Sequence, residues 1–157
     1  MSFPAPIEPF ILQARTIAVV GLSSNPARPS YGVARYLQQQ GYRIIPVNPK
    51  ETVVLGEPAF ADLEQAAAGA AAHPATARPI DIVCVFRRSE HVPAIARAAA
   101  RIGAGMLWLQ EGVTQPAAEA AARAAGLLVV ADHCLLKAHI RLRARQQTAA
   151  QVTEGTR

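Results

Sequence analysis

Apolar residues along this 157-residue chain fall into two alternating patterns. Short continuous apolar runs at residues 16–20, 42–47, 81–86, 105–109 and 127–130 read as strands buried on both faces. Between them, apolar positions recur at helical spacing over 6–14, 89–102, 116–125 and 135–147. After the first run, Ser30 follows Pro29 as an N-cap, Val33, Tyr36, Leu37 and Gln40 repeat at helical spacing, and Gly41 closes the helix. Strands that are apolar throughout and alternate with helices specify a three-layer α/β fold, a five-stranded, mainly parallel sheet covered on both faces. Residues 51–60 read as a small hairpin or loop, and the Ala-rich stretch 66–79 as a solvent-exposed insertion. One domain over 1–146 and a disordered tail over 147–157 complete the expected organisation, because the tail lacks apolar periodicity.

Composition narrows the function classes. Apolar residues make up 51% and charged residues 17%, which excludes a disordered or collagenous chain. No run approaches the roughly 18 apolar residues of a membrane span, and MSFPAPIEPF lacks the basic-then-apolar order of a secretory signal, so a cytoplasmic protein is expected. The net charge of +5 is concentrated at the end: residues 141–157 hold four arginines and one glutamate, leaving 12 basic against 10 acidic residues elsewhere. Arg141, Arg143 and Arg145 read as a solvated face favoured by the C-terminus of the last helix. With only 8 aromatic residues and no basic–aromatic interleaving, nucleic-acid binding is not expected. Cys84 and Cys134 lack zinc-site spacing, so no metal is implied. Cys84 lies within a strand run and reads as core packing.

In open parallel sheets a ligand sits at the carboxyl ends of the strands, where the strand order reverses. The segments to inspect are therefore 21–32, 48–50, 87–88, 110–112 and 132–134. The first is the richest. Gly21 ends a strand and Ser30 opens a helix, an arrangement that turns backbone N–H groups and the positive helix end toward an anion. It is neither GxGxxG, since Ser23 and Pro26 interrupt the spacing, nor a Walker A loop. After the second strand stand Asn48, Pro49 and Lys50, where NAD binders place an acid for the ribose diol. A cation here suits a phosphorylated ribose, as in NADP or coenzyme A. Arg87 and Arg88 add cations to the same rim.

The runs IAVVGLSSNPARPSYGVARYLQQQGYRIIPVNP, LGEPAF, DIVCVFRRSEHVP, GAGMLWLQEGV and AGLLVVADHC, spread over residues 7–142, resemble the small bacterial CoA-binding proteins. That family shares the fold of the CoA-binding domain of the succinyl-CoA synthetase alpha subunit. The resemblance implies a Rossmann-like domain that binds CoA or an acyl-CoA through its ADP moiety. Gly21, Ser23, Ser24, Arg28, Ser30 and Tyr31 would contact phosphates, Asn48 and Lys50 the ribose and its 3′-phosphate, and Phe86, Arg87 and Arg88 the adenine side. Gln110, Glu111 and Gly112 would border the pantetheine. Cys134 stands at the ligand edge, where His133 or a helix N-terminus would lower its thiol pKa and allow a mixed disulfide with CoA under oxidising conditions. Ligase chemistry in the synthetase needs a second domain with a phosphorylated histidine, for which 157 residues leave no room, so binding without catalysis is expected. A sheet edge without its synthetase-like partner allows a homodimer or another protein partner. The rival readings are an NADP-linked oxidoreductase or redox sensor, and a protein-interaction module with a vestigial crevice.

Overall fold

A computed structural model describes residues 3–156. The chain runs through α1 (Ile7–Gln13), β1 (Thr16–Val20), α2 (Pro29–Gln39), β2 (Arg43–Val47), β3 (Val53–Val54), β4 (Glu57–Pro58), α3 (Leu63–Gly69), β5 (Ile82–Val85), α4 (Val92–Arg101), β6 (Met106–Leu109), α5 (Pro116–Ala124), β7 (Leu128–Val130) and α6 (Leu135–Glu154). The five long strands form one parallel sheet in the order β2-β1-β5-β6-β7. The fold is Rossmann-like α/β, as the apolar runs require. β3 and β4 pair antiparallel as the small hairpin expected over 51–60. Among the described residues no helix is long and apolar enough to cross a membrane, and no group of His, Cys, Asp or Glu could hold a metal ion.

Successive strand residues face opposite layers. Ala18, Val20, Val83, Val85, Leu107 and Leu109 pack with α3, α4 and α5 residues such as Leu63, Val92 and Ala118. Ile17, Val19, Ile82, Cys84, Met106 and Trp108 pack with α1, α2 and α6 residues such as Ile11, Leu37 and Leu135. Two buried side chains tie backbone across this core. The fully buried Asp81 accepts the N–H groups of Arg15 and Thr16 through Oδ2, at 2.9 and 3.0 Å, and so binds the entry of β5 to that of β1. Trp108 donates its indole N–H to the carbonyl of His133 at 2.8 Å.

Four expectations are corrected. The N-cap of α2 is Arg28, not Ser30, because Pro29 occupies the first turn, where its fixed φ is already helical and its missing N–H costs nothing. Ser30 is buried instead and accepts the N–H of Ser23 through Oγ at 3.1 Å. The Ala-rich stretch is not wholly an exposed insertion: Asp62 caps α3 by accepting the Gln65 N–H at 2.8 Å, and Leu63, Ala66 and Ala70 then bury one helical face against the sheet. The segment expected to be a disordered tail continues α6 to Glu154, since no Gly or Pro interrupts it before Gly155. Consequently the Arg141–Arg143–Arg145 series lies in mid-helix, away from the dipole's negative end. Arg145 pairs with Glu8 of α1 at 2.7 Å.

Where α6 crosses α2, the Tyr36 hydroxyl and Nδ1 of the buried His139 share a hydrogen bond of 2.8 Å, with the rings of Tyr36 and Tyr42 set edge-on to that of His139. Burial raises the pKa of Tyr36, so its hydroxyl stays protonated. Tyr42 is pushed up to about 12, chiefly by burial, and donates to the Ile11 carbonyl at 2.6 Å. Burial first, and the nearby Arg143 second, hold the His139 imidazole below its ordinary 6.5.

Two predictions follow from these contacts. A histidine whose folded pKa is depressed contributes stability that is present above the unfolded pKa and is lost as pH falls through the folded value. The thermal midpoint of the wild type should therefore drop on acidification from about pH 7.5 to about pH 5.5, and drop less in His139→Gln. Equal pH dependence in both proteins would exclude His139 as a source of the loss. At the end of β1, Gly21 has φ +87°, and a Cβ there would lie 2.6 Å from the Phe86 carbonyl oxygen. Gly21→Ala should cost at least about 2 kcal/mol in chemical denaturation, combining a left-handed backbone with a backbone clash.

Candidate functional site

The sheet order reverses between β1 and β5: the chain first moves outward from β1 to β2, then returns to lay β5 on the other side of β1. The crevice at the carboxyl ends of these strands is bounded by the loop after β1, the turn after β2 and the segment after β5. Its geometry is set by close backbone packing. The Gly21 N–H donates to the Val47 carbonyl at 2.8 Å, and the Phe86 N–H donates to the Val20 carbonyl at 2.8 Å, so three strand ends are bound side by side.

The loop after β1 is stiffened from within. Ser23 Oγ accepts the Asn25 N–H at 3.0 Å, Asn25 Oδ1 accepts the Ala27 N–H at 3.0 Å, and the Asn25 carbonyl accepts the Arg28 N–H at 3.0 Å. Ser24 is exposed at the loop's outer turn, Arg28 is exposed just before α2, and Tyr31 is half-buried in its first turn. In the neighbouring turn Asn48 reaches back, donating from Nδ2 to the Leu22 carbonyl at 3.1 Å and accepting the Lys50 N–H on Oδ1 at 3.0 Å. Asn48 is therefore a brace between two loops, and Lys50 stands exposed beside them. Glu51 follows and accepts from both the N–H and the hydroxyl of Ser24, at 3.1 and 3.0 Å. Sequence reasoning missed Glu51, although an acid four residues past the end of β2 is within reach of the first loop.

Phe86 and Arg87 are half-buried and Arg88 is exposed. A Cβ on Gly21 would stand 3.1 Å from the Arg87 side chain, which brings the first loop and the segment after β5 into contact. Four cations, Arg28, Lys50, Arg87 and Arg88, thus lie on the segments that frame the crevice. The segment after β5 runs on to Ser89, whose Oγ accepts the Thr114 N–H at 3.1 Å and so meets the residues after β6, which with those after β7 form a second cluster further along the rim.

In that second cluster the Gln110 side chain turns inward. It is buried and donates from Nε2 to Cys84 Sγ at 3.0 Å, so it supports the loop from below. Burial pushes the Cys84 thiol up to about 12, consistent with a packing role and with no nucleophile at neutral pH. Gly112 has φ +80° and donates its N–H to Asp132 Oδ1 at 2.7 Å, which ties the loop after β6 to the turn after β7. Glu111 is exposed and pairs with Lys137 of α6 at 2.7 Å. That contact, as hydrogen bond and as charge, raises the Lys137 pKa. Lys137 was not anticipated; its position one helical turn past Cys134 is the signal that would have found it. Cys134 is half-buried at the N-cap of α6, adjacent to His133, whose ring meets Phe3 edge-on at 5.1 Å between centroids.

What such a rim can do chemically is hold an extended anionic ligand: peptide N–H groups, hydroxyls and cations at one end, and at the other a neutral, hydrogen-bonded loop pair beside a thiol. Comparison with known proteins agrees with this chemistry. Residues 15–140 match the family described as CoA binding domain. The uncharacterized protein YneT of Bacillus subtilis (strain 168) is 37% identical over 135 residues, covering 86% of this chain and 93% of its own. A solved structure from Thermus thermophilus, described as cell-free ID.343, is 37% identical with a TM-score of 0.75, covering 87% of this chain and 96% of that one. A hypothetical protein from Pyrococcus horikoshii OT3 is 29% identical with a TM-score of 0.74, covering 90% and 99%. A match over four-fifths of the residues, spanning every strand of the sheet and each loop of the rim, places this chain in the CoA-binding domain family.

Proposed function

We propose that the protein binds coenzyme A or an acyl-CoA, without catalysing a reaction on it, through the ADP moiety laid across the switch-point crevice. The observation that carries this reading is the convergence of Ser24, Lys50 and Arg87 on the segments around the close approach of Gly21 to Phe86, in a chain matched over 15–140 by the CoA-binding domain. In this pose the diphosphate lies on the loop after β1, with Ser23, Ser24, Ser30 and Tyr31 around it and Arg28 at its outer side. The 3′-phosphate meets Lys50, whose position Asn48 fixes. Adenine rests on the side of Phe86, Arg87 and Arg88. Pantetheine then runs along the rim past Gln110, Glu111 and Gly112 toward Cys134. Cys134 stands at the far end of this path, and the Glu111 carboxylate beside it is paired with Lys137.

Isothermal titration with CoA, dephospho-CoA and NADPH tests the reading. CoA should bind more tightly than dephospho-CoA, and NADPH should give no signal. A preference for NADPH would instead indicate a nicotinamide-linked enzyme or redox sensor, and silence with all three an interaction module. Lys50→Ala should weaken CoA by roughly tenfold while leaving dephospho-CoA nearly unchanged, since one charge-assisted phosphate contact is lost. Equal losses for the two ligands would contradict the place given to Lys50.

A further inference from the structure

The loop after β1 already holds an anion of the protein's own. Ser24 offers two donors, its N–H and its hydroxyl, and both are directed at one oxygen, Oε1 of Glu51, at 3.1 and 3.0 Å. Neighbouring donors are spent inside the loop: the N–H of Ser23 on Ser30, that of Asn25 on Ser23 and that of Ala27 on the Asn25 side chain. Ser24 is thus the point at which this loop grips an external acidic group, and a carboxylate from another element occupies it.

Glu51 arrives there by construction of the turn after β2. Asn48 accepts the Lys50 N–H on its side chain and the Glu51 N–H on its carbonyl, at 3.0 and 3.1 Å, while its amide is anchored on Leu22. The turn that presents the Lys50 cation therefore presents the Glu51 anion as well. We infer that Glu51 is a specificity-determining residue of the site: an internal carboxylate on the phosphate donors of Ser24 that an incoming phosphate must displace. The inference rests on the CoA reading given above. Both Ser24 hydrogens are already given to one Glu51 oxygen, and a phosphate drawn in by Lys50 and Arg28 meets like-charge repulsion from Glu51 until that side chain swings out. Affinity is then set by the difference between the two anions rather than by the full strength of the phosphate contact, so ligands with fewer negative charges are poorly able to open the site.

Removing the internal anion should strengthen binding. In isothermal titration, Glu51→Ala should bind CoA about threefold to tenfold more tightly than the wild type, and Glu51→Gln, which keeps an acceptor but not the charge, should show a smaller gain. Dephospho-CoA keeps the diphosphate that lies on Ser24 and carries fewer negative charges, so its gain in Glu51→Ala should be at least that of CoA; a gain confined to CoA would overturn the inference. Weaker binding of both ligands in Glu51→Ala would overturn it, because Glu51 would then brace the loop or grip a ribose hydroxyl. Unchanged affinity would overturn it too. CoA binding by the wild type with no gain in either variant refutes the role of Glu51 alone. Absence of CoA binding in the wild type and in both variants refutes the CoA reading together with it.

Discussion

The site depends on the backbone contact where β1 ends. Gly21 leaves the central strand in a left-handed conformation and passes so close to the Phe86 carbonyl that no side chain fits between them. That approach lets Gly21 donate to Val47 and Phe86 donate to Val20, so the ends of β2, β1 and β5 lie against one another. The sheet reverses its order at that place, the position at which open α/β sheets bind their ligands. The cations around it come from three separate loops, and each loop emerges from a strand end that this packing fixes.

Around that contact the rim is braced by short polar side chains rather than by buried ion pairs. Asn48 connects the first two loops, Gln110 hangs on Cys84 in the core, and Asp132 holds Gly112. Each ties its loop to a neighbouring segment and so limits how far that loop can move. The ion pairs Glu111–Lys137 and Arg145–Glu8 are exposed or partly so and add little stability. Their effect is on charge placement, since Lys137 offsets the negative charge of Glu111 at the rim. The result is a rim arranged before any ligand arrives, with one contact, Ser24 to Glu51, that a ligand must break.

The sheet was legible because its strands are buried on both faces, and an uninterrupted apolar run has no other stable use in a chain of this size. The strand ends were legible for the same reason, and with them the residues that follow each one. Misreadings occurred where local signals compete. Ser30 has the chemistry of an N-cap, but Pro29 fixed the helix start two residues earlier and freed the hydroxyl for Ser23. The Ala-rich stretch has low complexity, yet alanine is the strongest helix former, and the spacing of Leu63, Ala66 and Ala70 lets α3 lie close on the sheet. Contacts between distant segments, Glu51 to Ser24, Lys137 to Glu111 and His139 to Tyr36, leave no periodic mark and emerge only when the chain is folded.

The most direct test of the central claim, that the carboxyl ends of the strands bind CoA, is a titration of the isotopically labelled protein with CoA followed by amide resonances. The account predicts shifts concentrated at Gly21–Ser24, Lys50, Phe86–Arg88 and Gly112, with the amides at the opposite end of the sheet, such as Thr16 and Asp81, unmoved. Shifts centred on that opposite end, or none at saturating CoA, would contradict it.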